Sequence, residues 1–137
     1  MSNSLLEEVH QAPAELRDRK DFPVQAATFT ESLNGKETEL AIYRYSDRIL
    51  VIVTRIGKPG TFLEVTRKAA SQTSDEKKFI YSSNVLLGKQ SETYDLIGRA
   101  LAEQLNLETP LVLALGFKTD LSPDDVKSIV GFVKSKW

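Results

Sequence analysis

Cysteine is absent from all 137 residues, which removes disulfides, thiol nucleophiles and most zinc sites and fits a reducing compartment. Histidine occurs once, at His10, so there is no second one to complete a catalytic triad or a metal cluster. Neither sign of charge is in excess: 18 lysines and arginines against 19 acids leave a formal net charge of -1. That balance supplies no overall attraction to nucleic acid or to an anionic membrane. Long apolar runs are missing too. The two strongest, Ile49 to Val53 and Leu111 to Leu115, fall far short of the roughly 20 residues that cross a bilayer. The opening MSNSLLEEVHQAP carries two acids where an export signal carries positive charge, and its apolar residues are interrupted. The expected location is therefore cytoplasmic, extending to the nucleus.

What is present suits one folded unit. A composition of 41% apolar and 27% charged residues supports a single core. Residues 1–22 are polar and set apart by Pro13, Pro23 and the run Arg17-Asp18-Arg19-Lys20-Asp21, so they read as an arm, with residues 23–137 as one domain. Leu5, Leu6 and Val9 have helical spacing after Ser4, but a turn this short needs a surface to dock on. From Val24 onward short β-prone runs take over. Asn34-Gly35 between two of them is a hairpin signal, and the β-branched stretch from Arg48 to Ile56 is the expected central strand. Gly57-Lys58-Pro59-Gly60 reads as a hairpin turn leading to an antiparallel strand from Thr61 to Thr66.

Arg67 to Lys77 has no large apolar side chain and is expected to be a mobile loop. Phe79 to Leu87 resumes strand character. Ser91 then caps a helix whose buried face is Tyr94, Ile97, Leu101 and Leu105, and Pro110 to Phe117 is another strand. Ser122-Pro123-Asp124-Asp125 opens a second helix with the stripe Val126, Ile129, Val130, Val133 and Trp137. The fold class is α+β, a mostly antiparallel sheet of about six strands with two helices on one face. Ile49 to Val53 is apolar on both alternating faces, so the other sheet face is expected to pack against a partner subunit, at a sheet spacing of roughly 10 Å.

Residues that could carry chemistry do not converge. Gly57-Lys58-Pro59-Gly60-Thr61 lacks the earlier glycine of a phosphate loop and leads into a strand. Glu7-Glu8 and Asp124-Asp125 are helix neighbours, which point to different faces. The short basic runs, Arg17 to Lys20 and Lys77-Lys78, are mixed with acids, and the nearby Phe22 and Phe79 read as core anchors instead of base-stacking platforms. No catalytic residue, metal or cofactor is expected, and neither is nucleic-acid or membrane binding.

The block Ile49-Leu-Val-Ile-Val-Thr-Arg-Ile-Gly-Lys-Pro-Gly-Thr61 resembles the central strand and turn of the proteasome assembly chaperone 3 family. Asn84-Val-Leu-Leu-Gly88 before a helix, and the strand Leu111 to Leu115 before a helix ending in Trp137, extend the resemblance over residues 24 to 137. It implies a non-enzymatic protein that pairs with a proteasome assembly chaperone 4-like partner, or with itself in isolation. It also implies binding to proteasome α-type subunits while the core particle's α-ring forms, followed by release. Family members carry a mobile loop where this chain has Arg67 to Lys77. Within it Lys68, Gln72, Asp75, Glu76 and Lys77 are the candidates for α-subunit contact. For dimerisation the candidates are Leu50 and Ile52, or alternatively Ile49, Val51 and Val53, because alternate strand residues face opposite layers. Two other readings remain open at this point: a small dimeric adaptor of another complex, and a small-molecule enzyme, which would need a pocket of converging titratable groups.

Overall fold

A computed structural model describes residues 25–69 and 79–137. The arm at 1–22 and residues 70–77 of the expected loop lie outside the described residues. The first two strands, β1 (Gln25–Leu33) and β2 (Lys36–Arg44), pair antiparallel around Asn34-Gly35, whose φ angles of 53° and 79° are the two successive positive values a tight hairpin turn demands. β3 (Ile49–Thr54) pairs antiparallel with β2. The chain next forms β4 (Thr61–Ala69) and β5 (Phe79–Leu87), an antiparallel pair, then helix α1 (Glu92–Gln104), β6 (Leu111–Gly116) and helix α2 (Pro123–Lys136).

The order across the six-stranded sheet is β1-β2-β3-β6-β4-β5. β6 lies between β3 and β4, parallel to the first and antiparallel to the second. The Gly57 to Gly60 segment is therefore not the hairpin turn read from sequence. It spans the end of β6 instead, where Gly60 N–H donates to the Leu115 carbonyl (2.9 Å) and Arg55 N–H to the Gly116 carbonyl (3.0 Å). A Cβ at position 116 would collide with the Lys58 carbonyl oxygen, so only glycine fits beneath this crossing. The turn chemistry was legible, but a strand arriving from 50 positions downstream leaves no local mark.

Each helix is capped as its sequence requires. The Ser91 hydroxyl accepts from Tyr94 N–H, and α1 ends on Asn106 at φ 50°, with Asn106 N–H and Leu107 N–H returning to the Glu103 and Ala102 carbonyls. Ser122 and Asp125 form a reciprocal capping box at the start of α2, with Pro123 in the first turn. Both helices cover one sheet face. Leu40, Ile42, Val51, Val53, Leu63, Val65, Leu111, Leu113 and Leu115 meet Ile97, Leu101, Ile129 and Val133 there. Phe132 joins this core although it falls outside the stripe read from sequence, and Trp137 packs against it beneath the Arg44 guanidinium, 4.5 Å from the ring centre.

Arg67 and Lys68 were expected in a loop, but β4 continues to Ala69. Arg67, Lys68 and Ala69 are in register with Tyr81, Ile80 and Phe79. Backbone pairing and the stacking of Arg67 on the Phe79 ring, at 3.8 Å, hold a stretch that lacks apolar anchors of its own.

Candidate functional site

The sheet has a second apolar cluster on the face turned away from the helices. Strand alternation sends Ala41 and Tyr43 of β2, Ile52 of β3 and Ala114 of β6 to that side, where they are buried, with half-buried Leu50 and Phe62 packed against them. The two alternate sets of β3 thus separate: Val51 and Val53 enter the helix-side core with Ile49 against it, while Leu50 and Ile52 belong to the opposite cluster. Within that cluster the Tyr43 hydroxyl is buried and, among the described residues, has no hydrogen-bond partner. Burial raises the phenol's pKa, with the nearby Tyr45 adding to the effect. A hydroxyl left unpaired away from water is costly, so this face carries an unmet demand for a polar contact.

One charged group ties the end of β3 to α2. Arg55 Nε donates to Thr38 Oγ1 (3.0 Å), and its terminal nitrogens reach Asp125 Oδ1 and the Leu33 carbonyl, each at 3.3 Å. The guanidinium also stands 5.7 Å from the Phe117 ring centre. Asp125 is further bonded by Ser122 N–H at 3.0 Å and by the Asn34 amide at 3.2 Å. Those hydrogen bonds, Ser122 N–H first, and the Arg55 charge hold its carboxyl well below the usual range. The hub joins the first hairpin, β3 and the second helix. It has a single ionised acid already satisfied by structural partners, which is the chemistry of a clamp and not of an acid or base that must exchange a proton.

Sequence reasoning assigned Asp125 to the helix dipole and missed Arg55 altogether. The capping spacing was visible, but the partner lies 70 positions away, beyond any periodicity. Of the candidates for α-subunit contact, Lys68 is exposed on β4, whereas Gln72, Asp75, Glu76 and Lys77 lie outside the described residues. Beside Lys68, Phe79 and Ile80 are exposed large apolar residues, 41% and 57% accessible, so this end of the β4-β5 pair is apolar as well as basic. Leu50 and Ile52, the candidates for dimerisation, fall together on the face that carries the unpaired Tyr43 hydroxyl. Among the described residues no group of three or more His, Cys, Asp or Glu is placed to hold a metal ion, and no helix is long and apolar enough to cross a membrane.

Comparison with known proteins gives concordant matches. The family model described as Proteasome assembly chaperone 3 matches residues 51–136. Proteasome assembly chaperone 3 of Bos taurus is 34% identical over 98 residues, covering 69% of this chain and 78% of the relative. The Homo sapiens protein of the same name is 30% identical over 103 residues, covering 73% and 82% respectively. In structure, the chain is similar to a component of a yeast chaperone complex for 20S proteasome assembly, with a TM-score of 0.64 at 16% identity, over 81% of this chain and 97% of that one.

Proposed function

The chain belongs to the proteasome assembly chaperone 3 family, and from that premise we propose that it works as one half of a chaperone pair that binds proteasome α-type subunits. The pair, completed by a proteasome assembly chaperone 4-like subunit or by a second copy when alone, orders α subunits during α-ring formation and then leaves. It acts through contacts, without catalysis or cofactor, in the cytoplasm and nucleus.

The observation that carries the pairing is the second apolar cluster, on the sheet face away from α1 and α2, with a Tyr43 hydroxyl that has no partner among the described residues. A partner sheet laid on that face would cover half-buried Leu50 and Phe62 and bring polar groups within reach of Tyr43. The α-subunit contact is assigned to the end of the β4-β5 pair, with Lys68 and residues 70–77, including Gln72, Asp75, Glu76 and Lys77. A polar contact segment keeps specificity at limited affinity, which suits a chaperone that must dissociate.

The test is co-purification of the tagged chain with its cellular partners, run for the natural sequence and for a variant with 70–77 replaced by a Gly-Ser linker. The expected result is recovery of a small paired chaperone by both, with α-type subunits reduced in the variant. Equal α-subunit recovery by the two would remove the loop assignment. Recovery of neither partner would leave the adaptor reading.

A further inference from the structure

On their outer sides α1 and α2 form an apolar groove of about 670 Å³. Leu96 and Ala100 of α1 line one side, Val126, Val130 and Gly131 of α2 the other, and Leu121 closes an end. Leu96 is 51% exposed, although the helix it belongs to has a full core face in Ile97 and Leu101. The charged residues lining the groove, among those described, are Lys127 and Lys134, both positive.

Gly131 supplies a separate observation. Glycine inside a helix costs stability relative to alanine. Gly98 of α1 has an internal reason for being there, because a Cβ would meet Leu63 Cδ1 at 2.8 Å and Val65 Cγ2 at 2.9 Å, so its absence lets the helix lie close on the sheet. At Gly131 a Cβ would meet nothing within 4 Å among the described residues. Packing among the described residues leaves the bare backbone at the groove wall unexplained, and bare backbone is what permits the close approach of another helix.

We propose that this groove receives an amphipathic helix of a partner protein, with its apolar face on Leu96, Ala100 and Val126 and with acidic side chains flanking that face. Two helices side by side offer a third the groove geometry of helix recognition. Lys127 and Lys134, seven positions apart, stand two turns from each other, about 10.5 Å along α2, so acids at the same spacing on the incoming helix meet both. The all-positive lining selects acidic over basic helices. The site lies on the opposite side of the sheet from the Tyr43 face, and it adjoins the β4-β5 end, since Leu96, Ala100 and Gln104 also line the cavity beside Phe79 and Ile80. Peptide binding is read on the isolated chain and so stands or falls apart from the α-subunit contact proposed above.

The experiment titrates two 18-residue helical peptides into the isotopically labelled full chain and follows amide resonances. The peptides share a Leu/Ala face, and one is flanked by glutamates, the other by lysines. Binding of the glutamate peptide at least tenfold tighter than the lysine peptide, with shifts centred on Leu96, Ala100 and Gly131, is the expected result. Gly131→Trp should weaken it at least tenfold, whereas Gly131→Ala should raise Tm by about 4 °C. Should Gly131→Trp fail to fold, the exposed pair Lys127→Glu and Lys134→Glu decides instead, by reversing the peptide preference. Equal affinity for the two peptides, no shift up to millimolar peptide, or unchanged binding by the charge-reversed variant overturns the proposal. Concentration-dependent shifts of the same amides without peptide overturn it as well, since a second copy would then fill the groove.

Discussion

Asp125 shows how one carboxylate can fasten three pieces of chain. It closes the α2 capping box, accepts from the Asn34 amide of the first hairpin and faces the Arg55 guanidinium at 3.3 Å. Arg55 and Asp125 retain only 9% and 14% of their side-chain exposure, so removing one partner strands the other where water cannot fully replace it. Asp125→Asn is expected to cost about 2–3 kcal/mol, measured by denaturant unfolding. The pH dependence follows from the lowered carboxyl pKa. Its stabilising contribution is complete above the pKa an unfolded aspartate would have, about 3.9, and is lost as pH falls toward the native value. The acid limb of the stability profile should therefore be shallower in the Asp125→Asn variant below about pH 5; an unchanged limb would mean that other carboxylates govern acid unfolding.

Among elements, the first hairpin is defined by its turn. Gly35 sits at φ 79° with open space where a Cβ would go, so Gly35→Ala introduces backbone strain and no collision. Its expected cost is about 1 kcal/mol, read as a lower denaturation midpoint with unchanged slope. This hairpin, the second helix with its serine-proline start and the stripe on α1 were all legible in sequence, because turn chemistry, caps and 3.6-residue periodicity act within a few positions. What sequence concealed is non-local. The continuation of β4 through Arg67 to Ala69 depends on the partner strand β5, and the Arg55 hub depends on residues brought together only by the finished sheet. The α+β class and the two-faced character of β3 could be read from composition and alternation, yet which alternate set met the helices could not, since both sets are equally apolar.

For the molecule as a whole, the two sides of β3 give a controlled comparison. Leu50 is half-buried on the sheet face away from α1 and α2, and Val51 is fully enclosed on the helix side. On the pairing proposed above, Leu50→Asp should leave a cooperatively folded chain that does not pair, seen by sedimentation velocity, whereas Val51→Asp should fail to fold because it places an unpaired charge in the core. Pairing that survived Leu50→Asp would move the interface to another surface.

The last of the six described strands in chain order stands in the middle of the sheet. Until residues 111–116 have been made, β3 and β4 each present an unsatisfied ladder of N–H and C=O groups where β6 will later lie. The groups β1-β2-β3 and β4-β5 are joined in the finished sheet only through β6, so neither can complete its ladder before β6 is available. Closure must await contacts far apart in sequence, which slows folding and lengthens the interval of exposure to aggregation. A member of an assembly chaperone family is thus, in its own folding, subject to the hazard of mistimed pairing.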